Sequence, residues 1–358
     1  MQLTRRQSTH ALATLLAGSS AAKVLAKPAA TETMVSFGLA PDLMNNVLVR
    51  IQLENSEVCG FIATMDGNHY VLTNTKLISG HDRFTLATLS GTELRPSRIE
   101  LSTTRDLARI QVQSDKGLDI AAGVPNGTSV VLADFSSPGR NFAELGGTIE
   151  NANEERFDVS AGLGPEHCGC PILTADAKVC GLVSNIDYYK DKGTSWGNTA
   201  RLFSYRIEDS AWFAPNWKQY DKQFGRPLRD ADEFREMIYG LATEWMGNLK
   251  SEIETDQDVG LDVQRWIKQH NGMVSNLGQK RSKKGGSDPR AAFQKDFSDS
   301  CKALVDICSS KANTLSFVAE QKNASPFSSN QFKWRARELM QFVKFIKAFE
   351  EKNENYRW

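Results

Sequence analysis

From Asn46 to Arg206 the apolar residues fall in short β-branched runs, each broken by turn-forming residues. The runs include "NVLVRIQL", "FIAT", "YVLTN", "FTLATL", "ARIQV", "SVVLADF", "GTIE", "RFDVS", "CPILT" and "VCGLVSN". Between them stand "DGN", "SGT", "PNGT", "SSPGR" and "TADAK", the composition of tight turns. So many short strands at this spacing predict an all-β sandwich or a pair of barrels.

After Trp217 the period changes to that of helices. Asp230, followed three residues later by Glu233, reads as a capping box opening a helix. Phe234, Ile238, Leu241, Trp245 and Leu249 then fall on one face. Val259, Val263, Trp266 and Ile267 predict a second helix, and "QKRSKKGGS" (279–287) a basic linker. Asp288 and Pro289 suit the cap and first turn of a third helix carrying Phe293, Phe297, Cys301, Leu304, Cys308 and Leu315. A fourth carries Phe332, Ala336, Leu339, Val343, Ile346 and Phe349. These stripes read as bundle core. The organisation expected is an all-β domain over 46–217 and an all-α helical domain over 218–358. Because the helices have apolar faces of their own, truncation after Asp221 is expected to leave a folded β domain.

Composition narrows the function. Lys plus Arg and Asp plus Glu are balanced at 43 each in 358 residues, so no global field favours nucleic acid or anionic membranes. No segment beyond the N-terminal region approaches the roughly 20 apolar residues that span a bilayer. The N-terminus differs in kind. "LTRRQSTHALATLLAGSSAAKVLAKPA" has an arginine pair, a run of small residues and then Val24-Leu25-Ala26, which predicts a signal peptide over 1–26 and a linker over 27–45. Arg5 and Arg6 resemble the twin-arginine export signal. The expected product is exported, periplasmic or extracellular; the alternative is a frayed amphipathic arm.

Export permits disulfides among the six cysteines, 59, 168, 170, 180, 301 and 308, but six allow fifteen connectivities. Cys301 and Cys308 are two helical turns, or roughly 10 Å, apart, too far to bridge. They read as buried small hydrophobes. Cys168 and Cys170 flank one glycine, which is neither a redox CxxC spacing nor a zinc pair. Neither metal nor cofactor is expected.

Three segments, in order, resemble a bacterial trypsin-like serine peptidase domain. "HYVLTNTKLISG" is similar to the family's Y-V-L-T-N-x-H-V-x-x-G, and "TTRDLARIQV" to its D-L-A-x-x-x-V. "PEHCGCPILTADAKVCGLVSN" is similar to G-N-S-G-x-P-x-x-x-x-x-G-x-V-x-G-x-x-S. "RLFSYRIEDSAWFAPNW" resembles the segment that ends such domains in some members. The resemblance covers nearly half the chain and implies a double barrel of two six-stranded sheets with the active site between them.

Carried over residue by residue, the resemblance implies a degenerate catalytic set. The histidine position is Lys76, the aspartate position Asp106 and the serine position Cys168. The family's oxyanion site uses backbone N–H groups; its glycine is Glu166 here, and Cys168 would supply the other N–H. Ser184 lies on the strand that lines the family's substrate groove. Three readings follow. The leading one is a pseudopeptidase that binds an extended peptide or protein segment in the cleft between barrels. The second is an active peptidase with Cys168 as nucleophile beside Lys76. In it, Asp106 would hold Lys76 protonated, which makes a poor proton shuttle. The third makes Cys168 a disulfide partner, for instance of Cys59. His167, adjacent to Cys168, is expected to project away from it; His69 and His81 read as surface residues.

Overall fold

The computed structural model describes residues 36–135, 142–191, 196–235, 238 and 289–354. The expected signal peptide, second helix and basic linker lie outside these. The chain divides into Met1–Met34 and a compact unit, Val35–Trp358.

The first sheet has nine strands: β1 (Leu48–Gln52), β2 (Glu57–Met65), β3 (Asn68–Thr73), β4 (Thr85–Thr88), β5 (Glu93–Leu94), β6 (Pro96–Ser102), β7 (Ala108–Val112), β8 (Leu118–Asp119) and β15 (Trp212–Phe213). Their order is β15-β6-β7-β3-β2-β1-β4-β5, with β8 parallel beside β2. The β2–β3 hairpin shows why the local sequence folds as it does. Asp66 and Gly67 both take positive φ, 51° and 73°, as a two-residue primed turn demands, and Met65 faces Asn68 across it. Alternation appears in β7, where Ala108, Ile110 and Val112 are buried and Arg109 and Gln111 are half-buried.

The second sheet closes on itself. β9 (Ser129–Asp134), β10 (Ala143–Glu150), β11 (Arg156–Val159), β12 (Pro171–Leu173), β13 (Val179–Asp191) and β14 (Trp196–Arg206) form a six-stranded barrel in the order β10-β11-β14-β13-β12-β9. Val130, Leu132, Ile149, Phe157, Ile172, Leu182 and Phe203 are buried in it. Two six-stranded barrels were expected, and one is closed. The first sheet stays open by hydrogen bonding, although Arg95 alone separates β5 at one end of its path from β6 near the other. Pro96 opens β6 without a backbone donor, which suits a bend rather than a continuing ladder.

Short helices flank the sheets: α1 (Pro41–Val47), α2 (Thr75–Ile78) and α3 (Trp217–Tyr220). The stretch expected as linker up to residue 45 is therefore structured from Ser36. Met44 is fully buried, and the Glu144 carboxylate accepts N–H bonds from Phe37 and Leu39, both at 2.6 Å. The helix expected to open at Asp230 opens earlier. Asn216 caps α3 by accepting from the Gln219 N–H at 3.2 Å, and the chain stays helical through a π-type turn at Asp221–Gly225 to residue 235.

Two long helices, α4 (Pro289–Ala319) and α5 (Pro326–Glu354), complete the fold as a hairpin. α4 begins at the expected proline. Cys301, Leu304, Cys308 and Leu315 from α4 and Phe332, Ala336, Leu339, Val343 and Ile346 from α5 are buried. The helical part does not stand apart from the sheets. Asp221 accepts from the Gly80 N–H at 2.6 Å, and the Phe327 N–H donates to the Thr103 carbonyl at 2.8 Å. Tyr220 hydrogen-bonds Ser328, and α5 packs against β13. The boundary expected at 217/218 thus falls inside one compact unit. No helix among the described residues is long and apolar enough to cross a membrane.

Candidate functional site

The site lies where the two sheets meet. β3 ends at Thr73 and the chain turns through Asn74 into α2, which carries Lys76. Asp106 sits in the turn between β6 and β7, 3% exposed. Its backbone carbonyl accepts from Asn74 Nδ2 at 3.2 Å, and its Oδ1 accepts from the Lys76 N–H at 3.0 Å. Oδ2 accepts from Ser184 Oγ on β13 at 3.1 Å. Ser184 is itself buried, so its hydroxyl serves Asp106.

The Lys76 ammonium lies 3.9 Å from Asp106 Oδ2, the outer edge of an ion pair. Its nearer partner is a residue that sequence reasoning missed. Nζ donates to the Asn185 carbonyl at 2.7 Å and also to Asn185 Oδ1. Cys168 Sγ donates to the same Oδ1 at 3.2 Å. Asn185 therefore stands between the cation and the thiol. The signal was its place directly after Ser184, a polar residue ending the buried run of β13; its role needed the fold.

A second cluster approaches from the helices. Arg335 grips the Asp232 carboxylate with two contacts of 2.7 Å, and Arg235 Nη1 donates to Glu338 at 3.2 Å. Burial works to raise the Asp232 carboxyl, but Arg335, then Arg235 and Lys76, outweigh it and hold the carboxyl below its ordinary value. Residues 226–235 thus bring a carboxylate into the field of Lys76.

The turn bearing Cys168 is a 3₁₀ helix, Pro165–His167. In this geometry the His167 N–H donates to the Gly164 carbonyl at 3.1 Å and the Cys168 N–H to the Pro165 carbonyl at 3.2 Å. Both donors are spent inside the turn. The Glu166 side chain is 61% exposed, with Oε1 at 3.8 Å from His167 Nδ1. His167 is buried and turned from Cys168: the Gly164 N–H donates to its Nδ1 at 2.7 Å and Asp134 lies 3.7 Å from Nε2. Gly169 follows at φ +88°, where an added Cβ would stand 2.2 Å from the Cys59 carbonyl. Only glycine fits both that conformation and that contact.

All six cysteines are buried thiols. Cys59 is not bonded to Cys168, whose thiol donates to Asn185 Oδ1; the Cys59 side chain lies beside Cys170 instead. Burial pushes the Cys180 and Cys308 thiols up to about 12. His81 is half-buried, with its imidazole lowered by burial and then by Arg229. No group of three or more His, Cys, Asp or Glu able to hold a metal ion occurs among the described residues.

Chemically, the arrangement holds a cation by acceptors on two sides and a thiol by an amide oxygen. A protonated lysine in this position donates; it has no lone pair to accept the thiol proton.

No family model matches the chain, and no curated protein matches it. Solved structures similar to it include the Rv3671c protease from M. tuberculosis in its active form. That match is at 17% identity and a TM-score of 0.35, covering 46% of this chain and 77% of that one. The HtrA-type protease AlgW with a tripeptide is similar at 17% identity, covering 49% of this chain and 60% of that one, with a TM-score of 0.35. Deg5 is similar at 15% identity, covering 47% of this chain and 86% of that one, again at a TM-score of 0.35.

Proposed function

We propose that the chain is a non-hydrolytic relative of trypsin-like peptidases that binds an extended peptide or protein segment between its two sheets. The observation that carries this reading is the backbone N–H of Cys168, which donates to the Pro165 carbonyl. An acyl-transfer site needs that donor aimed at a developing oxyanion. Glu166 stands where the family has the second oxyanion glycine, so a residue with a side chain replaces one whose backbone is free to turn its N–H toward the oxyanion. Lys76, held as a donor by Asn185 and Asp106, is a poor base.

Binding has support from β13. Beyond Asn185, whose carbonyl accepts from Lys76 Nζ, β14 is the strand that pairs with β13 among the described residues, and no second strand pairs Ile186–Asp191. Such an edge accepts a peptide as an added strand. The same reading takes residues 1–26 as a twin-arginine export leader, which predicts that changing both Arg5 and Arg6 to lysine leaves unprocessed protein in the cytoplasm.

The test is hydrolysis of a mixed peptide substrate by protein beginning at residue 27. No turnover is expected from the native sequence, nor from Lys76→His combined with Cys168→Ser. Adding Glu166→Gly to that pair frees the oxyanion position and is expected to restore measurable cleavage. Hydrolysis by the native protein that disappears on Cys168→Ala would overturn the reading in favour of a cysteine peptidase.

A further inference from the structure

Two of the buried thiols meet where the nine-stranded sheet and the barrel adjoin. Cys59 lies within β2, and Cys170 ends the turn that carries Cys168 and leads into β12. The Cys59 side chain lies beside the Cys170 thiol. The backbone supplies a second, independent contact, since the Cys59 carbonyl rests directly against Gly169. Both residues are anchored. The Cys59 carbonyl accepts from Thr73 Oγ1 at 2.7 Å. The Cys170 N–H donates to the His167 carbonyl at 3.0 Å, and its carbonyl accepts from the Val183 N–H at 3.1 Å. The other nearby thiols are turned elsewhere: Cys168 toward Asn185 and Cys180 toward the Ile172 carbonyl at 3.4 Å.

We propose that Cys59 and Cys170 are an oxidisable pair whose disulfide ties the first sheet to the barrel beneath the Cys168 turn. The oxidant is a small-molecule or protein disulfide. Cys59, 7% exposed where Cys170 is fully buried, is the point of entry. Its thiolate attacks the donor disulfide, one donor sulfur leaves as a thiolate and a mixed disulfide forms. Cys170 then loses its proton, attacks the Cys59 sulfur and expels the second donor sulfur. Two S–H bonds are exchanged for one S–S bond, and the donor, gaining two electrons and two protons, departs as two thiols. Burial, with Cys59 beside it, pushes the Cys170 thiol well above its ordinary range, so the second step quickens as pH rises. Closing this long loop removes freedom from the unfolded chain and pins the turn against β2. The pairing is independent of whether Cys168 is catalytic.

The test uses the purified protein incubated at pH 8 with oxidised glutathione or with reductant, then unfolded in acid, alkylated, digested and mapped by mass without reduction. The expected product is a Cys59 peptide joined to a Cys170 peptide, two hydrogens lighter than the separate pair, with Cys168, Cys180, Cys301 and Cys308 alkylated. The unfolding midpoint is expected to rise by roughly 5 °C on oxidation and fall back with reductant. Cys168→Ala should keep the link, and Cys59→Ser or Cys170→Ser should abolish both link and shift. A Cys59–Cys168 link overturns the proposal. So does recovery of Cys59 and Cys170 unlinked from oxidised native protein. Because the linkage is mapped on the native sequence, a serine variant that fails to fold does not alter the outcome.

Discussion

Asp106 shows how a buried carboxylate is fixed by donors other than the nearest ammonium. Its two oxygens are held by the Lys76 N–H and Ser184 Oγ, so the carboxylate is fixed before the ammonium contributes. The Lys76 side chain is 23% exposed and that of Asp106 5%, and their separation is long. Removing the ammonium therefore falls short of breaking a fully buried pair. Lys76→Ala is expected to lower stability by about 1–3 kcal/mol, read from urea unfolding. Ser184→Ala, which takes a hydrogen bond from a buried carboxylate, should cost a similar amount. Gly169→Ala belongs to another class. It imposes a strained φ and a carbonyl collision that no side-chain rotation relieves, so a loss above about 3 kcal/mol or failure to yield soluble protein is expected. A near-native unfolding midpoint for that variant would mean the Cys59–Gly169 contact is not close.

At the level of elements, Glu144 is the clearest case of one residue ordering a segment. Ser36 Oγ and the N–H groups of Phe37, Gly38 and Leu39 all donate to its carboxylate, fastening residues 36–39 to β10. Burial works to raise this carboxyl, but the Leu39 and Phe37 donors outweigh it and leave it below 4.5. A lowered carboxyl stabilises the native form fully above its unfolded value and loses that effect as pH falls through its folded value. The protection of the Phe37 and Leu39 amides, measured against the intrinsic exchange rate at each pH, should therefore be high at neutral pH and be lost as pH falls through the lowered Glu144 value. Glu144→Gln should leave both amides weakly protected at every pH. The strap was not legible in the sequence because its acceptor lies more than one hundred residues away. The same reason hid Asn185, whose partner Lys76 is 109 positions distant. Strands were legible where local alternation and turn chemistry agreed, as around Asp66-Gly67. The two-residue strands β5 and β15 owe their existence to partners in β4 and β6 and leave no local period. The α3 cap at Asn216 was masked by a better-looking box at Asp230 that sits within a continuing helix.

For the molecule as a whole, the question is how the helices and the sheets depend on each other. By periodicity alone, each has a sufficient apolar face, and a cut near Asp221 looks harmless. The packing argues otherwise. Asp221 is fully buried and receives the Gly80 N–H, a bond made possible by the π-type turn and by Gly225, whose missing side chain leaves room for that carboxylate. Just beyond, Phe224 and Leu228 are buried, Arg229 Nη1 donates to the Gly80 carbonyl at 2.9 Å, and Phe327 is anchored to Thr103. Truncation after Asp221 would strip these partners from the segment following Lys76 and leave a buried carboxylate facing water at a chain end. It would also uncover apolar surface beside Tyr220, at roughly 25 cal/mol per Å². A chain ending at Asp221 is therefore expected to aggregate or to unfold at least about 10 °C below the longer protein, a shift of several kcal/mol for a unit of this size. Thermal unfolding followed by near-ultraviolet circular dichroism decides the matter. A soluble truncated chain with an unchanged midpoint would show that the sheets fold without the helices.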